Sequence, residues 1–181
     1  GRMMLAKLGI TVPPYEEPTS ILEAPAGWGT EIIPFPMPFA PAIDLQGYEE
    51  LAFAPGWRDS TSANLWSIAY VWSIGPKGDL TTEQLARYLE LYYDGLGDVE
   101  QHADRGAQRT RCTLTSTADG LAGEIHLFDS FVRRKMMVLN ITVTHVHCTT
   151  TGKQLIRFHI SPKGPNDAIW KLLESVKVKC S

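Results

Sequence analysis

Much is missing from this chain, and each absence narrows its chemistry. Only 3 cysteines stand among 181 residues, Cys112, Cys148 and Cys180, with no CxxC spacing. An odd count in a chain this long does not suggest a disulfide scaffold. Cys112 reads as a core residue and Cys180, next to the end, as a spare thiol. There is no basic excess: 17 Lys and Arg face 20 Asp and Glu, a formal charge of −3. Nothing is left over to neutralise a phosphate backbone, which argues against nucleic acid as a partner. No apolar run approaches the roughly 20 residues that a membrane helix needs. The chain has no G-x-S-x-G elbow, no glycine-rich phosphate loop and no H-E-x-x-H, so nucleophilic and zinc-protease chemistry lack their motifs and no cofactor is implied. No internal repeat is visible. The chain opens on Gly-Arg, as a tag remnant or a processed chain would, and its first ten residues lack the apolar core of a signal peptide.

What is plentiful is proline at the start. Of the 12 prolines, 8 fall in residues 1–41. They deny that region long regular structure, so residues 1–30 are expected to be an extended arm and residues 31–181 a single domain. The run from Pro34 to Pro41 alternates proline with apolar side chains. It is expected to be extended and to wrap the core through Phe35, Met37 and Phe39.

The richest stretch runs from Arg109 to Ser161. It reads as a four-strand antiparallel meander. Asp119-Gly120 marks the first turn, Arg133-Arg134-Lys135 the second and Thr149–Gly152 the third. Centred there, the turns pair Cys112 with Leu127, Leu127 with Ile141, and Ile141 with Ile160. Alternation then puts Cys112, Leu114, Ile125, Leu127, Leu139, Ile141, Val143, Ile156, Phe158 and Ile160 on one face. The opposite face receives Arg111, Thr113, Glu124, His126, Thr142, Arg157 and His159. A slip of one residue would exchange the faces, so parity is strongly specified.

Before the meander, Leu51–Ala54 is a short strand candidate. Leu65–Ile74 is a more apolar one, with Trp66, Ile68, Tyr70, Trp72 and Ile74 on one side and small residues on the other. Such a strand expects cover on both faces. Thr81 and Gln84 form a capping box for a helix that carries Leu85, Tyr88, Leu89 and Tyr92, with Gly95 placed to stop it. After the meander, Asn166 or Asp167 caps a second helix with Trp170. Val176–Lys179 alternates as an edge strand guarded by its lysines. The sum is an α+β fold: a mainly antiparallel sheet whose meander (109–161) is covered by helices near 81–95 and 166–175.

Two side-chain constellations offer chemistry. His145 and His147 share one side of their strand, a spacing that suits a metal ion, but the pairing brings no strong third ligand; His102 could swing in from its loop, though nothing demands it. On the polar face, the same registers place Thr113, His126, Thr142 and His159 in one cross-strand row. His126 and His159 then lie roughly 10 Å apart, with Arg111 and Arg157 alongside to hold a small anion. Asp129 is of interest if it is buried. The tryptophans of the first half, Trp28, Trp57, Trp66 and Trp72, make either a core or an aromatic cleft.

The closing portion, Lys153 to Lys179, carries a strand after the Gly152 turn, a helix with Trp170, and Ser175-Val176-Lys177-Val178. In these features it resembles the PsbP-like group. The resemblance implies an α/β/α arrangement and a non-catalytic accessory role, and assigns no site residue. The leading expectation is therefore a non-enzymatic binding or accessory protein, periplasmic or secreted, such as one of a bacterial cell envelope. Its partner would be a small molecule or a protein, bound through Arg111, His126, Arg157 and His159. The alternative is a small metal-dependent enzyme centred on His145 and His147.

Overall fold

The computed structural model describes residues 18–75, 79–99, 106–148 and 152–180. The first 17 residues, His102 and the tip of the Thr149–Gly152 turn lie outside that set. Seven strands form one sheet in the order β2-β3-β4-β8-β7-β6-β5, every neighbouring pair antiparallel. The strands are β2 (Gly29–Pro34), β3 (Gly47–Phe53), β4 (Ile68–Ile74), β5 (Arg111–Ser116), β6 (Leu121–Phe128), β7 (Met136–Val146) and β8 (Gln154–Ser161). A separate ribbon pairs β1 (Leu22–Glu23) with β9 (Lys177–Val178). Helix α1 spans Thr82–Val99 and helix α2 spans Ile169–Glu174. The expected α+β class and antiparallel meander are what the chain adopts.

Strand β4 shows why both faces need cover. Its even side carries Tyr70 and Trp72, which are fully buried with Leu85, Leu89, Tyr92 and Tyr93 of α1. Its odd side carries Ala69 and Val71, which pack with Ile21, Ile169, Leu173 and Val176. Small side chains let the short helix and the ribbon sit close; large ones fill the wider space under α1. All ten residues that parity assigns to the apolar face belong to the core under α1, with Leu114 partly buried at its margin.

Two registers differ from the turn-centred expectation, both by an even number of residues. Cys112 pairs with Ile125 and Leu127 with Met137, whereas Ile141 with Ile160 is as expected. The first loop uses all of Thr117–Gly120, closed by Thr117 N–H donating to the Gly120 carbonyl at 2.8 Å. The second is set by Asp129, which is wholly buried and accepts the backbone N–H groups of Phe131, Val132 and Arg133 at 3.0, 3.0 and 2.9 Å. That carboxylate ends β6 at Phe128 and makes 129–135 the turn. Even slips change neighbours but not faces, which is why the sorting survives.

Other local readings need correction. Gly95 does not stop α1. The helix runs on to Val99, and a Cβ at Gly95 would meet the Phe39 carbonyl oxygen at 2.0 Å, so the glycine allows helix and proline-rich segment to touch. The capping box at the other end is present: Gln84 N–H donates to Thr81 Oγ1 at 3.1 Å and Thr81 N–H to Gln84 Oε1 at 2.9 Å. Residues 18–30 are tied to the sheet. Glu50, buried on the odd side, accepts the N–H groups of Ile21 and Leu22 at 2.7 and 3.3 Å and fixes the entry to β1. Cys180 is not spare either. The β1–β9 ribbon brings it back to the end of β7, where it forms a disulfide with Cys148 across 32 residues, with Cα atoms 5.3 Å apart. No helix among the described residues is long and apolar enough to cross a membrane.

Candidate functional site

The register separates the proposed polar-face row. His159 pairs with Thr142 on β7, whereas His126 pairs with Val138. Four residues of strand, about 13 Å, lie between their rows in addition to the two-strand spacing. Arg111 sits directly across from His126 near the β5 edge. His126 is half-exposed and contacts the Glu124 carboxylate at 2.9 Å. These two residues therefore form one solvated corner, and Arg157 and His159 form another locality. A single small anion does not span all four.

The second locality is a half-open hollow. Loop 162–168 and helix α2 fold over β7 and β8 and leave a cavity of about 340 Å³. Its floor holds Asn140, Thr142 and His159; its roof holds Pro165 and Trp170, with Glu174 at the rim. The roof is fixed by its own hydrogen bonds. Trp170 Nε1 donates to the Gly164 carbonyl at 2.8 Å and Asn140 Nδ2 donates to the Lys163 carbonyl at 2.9 Å. The N-cap position of α2 is Ala168, not Asn166 or Asp167 as expected, and Asp167 Oδ1 accepts Ile169 N–H at 2.9 Å from one residue further out. With its N–H engaged, the indole contributes only its ring surface to the cavity.

His159 is the unusual member. It is 6% exposed, and its Nε2 is buried without a hydrogen-bond partner among the described residues. A buried polar atom left unpaired costs about 1–3 kcal/mol, which is why most such atoms in folded proteins have partners. Burial pushes the imidazole pKa down to about 4, and the Arg157 guanidinium adds to that effect. The ring is thus neutral at physiological pH. Arg157 itself is tied across the strands, its Nε donating to Thr144 Oγ1 at 3.3 Å.

His145 and His147 are exposed beyond the end of the core. They line a shallow hollow with Asp79, Lys153 and Gln154, and Asp79 Oδ1 there accepts Gln154 Nε2 at 2.9 Å. Among the described residues no group of three His, Cys, Asp or Glu side chains is placed to hold a metal ion.

A further buried acid escaped the sequence reading. Glu49 lies on β3, directly opposite Trp72, with no exposed surface. It accepts Trp72 Nε1 at 2.7 Å and the Tyr92 hydroxyl at 2.8 Å. Burial outweighs these two bonds and pushes its pKa up to about 8. Parity with Leu51 and Phe53 places Glu49 on the apolar side, but only once β3 is known to begin at Gly47.

No protein family, no curated protein and no solved structure matches this chain, so its site is defined by its own geometry.

Proposed function

We propose that this chain is a non-enzymatic binding module, and that its ligand is a neutral, hydroxylated ring of the monosaccharide kind held beneath Trp170. The observation that carries this is that His159 lines the roofed cavity while its Nε2 is buried without a partner among the described residues. A hydroxyl can donate to or accept from a neutral imidazole, whichever nitrogen holds the proton, whereas a carboxylate requires the N–H form. Thr142 and Asn140 stand on the same floor for neighbouring hydroxyls, and the indole suits the C–H face of a sugar ring. The cavity falls within the usual volume of small-molecule sites. An accessory role of this sort accords with the PsbP-like outline of the closing segment. The Cys148–Cys180 bridge supports an oxidising setting such as a periplasm or an extracellular space.

The test is calorimetric titration with a panel of neutral hexoses, N-acetylated hexoses and hexuronates. At least one neutral member should saturate at millimolar concentration or below. His159→Phe and Trp170→Ala should each weaken it about tenfold, one hydrogen bond to a buried group or one stacking contact. Absence of saturable binding across the panel, or binding indifferent to both substitutions, overturns the reading. Circular dichroism establishes that each variant is folded.

A further inference from the structure

The opposite face holds a second cavity, about 310 Å³, between the outer part of α1, the β2–β4 half-sheet and the Asp129 turn. Its walls are aromatic: Trp57, Trp66, Phe131, Tyr70, Tyr92 and Tyr93 all line it. The rings brace one another at right angles, with Trp57 and Trp66 centroids 5.9 Å apart and Trp66 and Phe131 centroids 5.7 Å apart. Packing explains part of this cluster. Three observations go further.

First, Trp66 is 3% exposed, yet its indole Nε1 is buried without a hydrogen-bond partner among the described residues. Second, Trp66 adopts φ +55°, a left-handed conformation that a bulky residue seldom takes. Its N–H donates to the Trp57 carbonyl at 2.8 Å, which holds the turn in that strained form. The expected strand from Leu65 therefore begins only at Ile68, and Trp66 forms part of the cavity wall. Third, the Arg58 guanidinium stands at the mouth, 5.6 Å from the ring centres of both Trp57 and Phe131, and among the described residues no ion pair of Arg58 is formed.

The tyrosine hydroxyls at this cavity are already engaged. Tyr92 donates to Glu49, and Tyr70 and Tyr93 bond each other at 3.1 Å. The unused polar capacity is thus a buried N–H donor within and a cation at the rim. Both call for oxygen acceptors. Glu31 also lines the cavity, so a ligand with one carboxylate, matched by Arg58, is favoured over one with two. The volume lies near the lower end for small-molecule sites and suits one or two fused rings.

We infer that this aromatic cleft is a binding site for a planar aromatic monocarboxylate, with the ring in the cavity against the Trp57, Trp66 and Phe131 cluster, a ligand oxygen on the Trp66 N–H and the carboxylate at Arg58. The site is independent of the cavity beneath Trp170, on the other side of the sheet.

Three isosteric probes test it by calorimetry on the full chain: 2-naphthoate, 2-naphthylmethanol and 2-naphthylmethylammonium. The carboxylate should bind about tenfold more tightly than the alcohol, and the ammonium most weakly. Arg58→Gln should abolish the preference for the acid and leave alcohol binding within about twofold. Arg58 is exposed, so this variant does not disturb the core. In nitrogen–proton NMR spectra the Trp66 Nε1–H signal should move downfield with 6-hydroxy-2-naphthoate, whose hydroxyl supplies the inner oxygen that the simple acid lacks. Equal affinity for acid and alcohol, preference for the ammonium, no saturation by any probe, or a Trp66 signal that does not move each overturns the proposal.

Discussion

The two faces of this sheet solve the same problem with opposite materials. Under α1, the core is built of large rings, and the buried carboxylate at its centre, Glu49, is surrounded by donors. Under α2 and the β1–β9 ribbon, the core is built of Ala52, Ala69, Val71 and Leu155, and the buried imidazole of His159 has an unpaired nitrogen. Burial neutralises both groups, from opposite directions: Glu49 is held up near 8 and His159 down near 4. A neutral buried group is the cheaper state wherever desolvation outweighs the partners at hand. The lesson is that each layer holds a satisfied buried acid, Glu49 under α1 and Glu50 under the ribbon, and that the thin layer also buries an unsatisfied base beside a cavity.

The sharpest way to break the comparison is to truncate adjacent residues of β4. Trp72→Ala removes a fully buried ring and one donor of Glu49, and should cost about 4 kcal/mol. Val71→Ala, pointing to the thin layer, should cost roughly half that. Denaturant unfolding of the two variants checks the ratio; equal losses would remove the asymmetry between faces. Next comes the covalent tie of the thin layer. Replacing Cys148 and Cys180 together by alanine should cost about 3.7 kcal/mol, by the loop-closure entropy of a segment of this length. It should weaken ligand binding beneath Trp170 and leave the aromatic cleft unchanged, as parallel titrations would reveal.

A smaller effect is written in pH. Glu49 binds its proton more tightly folded than unfolded, so its contribution is complete below pH 4.5 and is lost as pH rises through 8. His159 binds its proton less tightly folded, so its contribution is present above pH 6.5 and is lost as pH falls towards 4. Between 4.5 and 6.5 the two slopes oppose each other. Above 6.5 only Glu49 acts, and Glu49→Gln should flatten a decline of about 2 kcal/mol between there and pH 8. Unfolding free energies at matched pH for the two proteins measure that difference.

Much of this fold was legible in the sequence because parity is robust. Leu127 has a different partner from the one its turn suggests, yet it remains in the core, since an even slip preserves faces. The capping box at Thr81 and Gln84 is a local signal and reads correctly. What the sequence hid depends on distant chain. Proline counts cannot reveal that Glu50 captures the backbone at Ile21. Cysteine spacing cannot reveal that a ribbon returns Cys180 to Cys148. The row of His126 and His159 failed because a row, unlike a face, requires the register of every intervening turn, and Asp129 reset one of them. His159 itself was named as a site residue, but the roof that makes a chamber around it comes from loop 162–168 and α2.

One feature of the topology reaches beyond the finished molecule. The centre of the sheet is filled by its last long strand to be synthesised, β8, which slots between β4 and β7. Until β8 leaves the ribosome, β2–β3–β4 and β5–β6–β7 are two half-sheets, each with a bare inner margin of unsatisfied peptide groups. Such margins are sticky, and pairing between positions about 90 residues apart is slow to nucleate. The nascent chain must keep both halves from finding other partners until residues 154–161 join them.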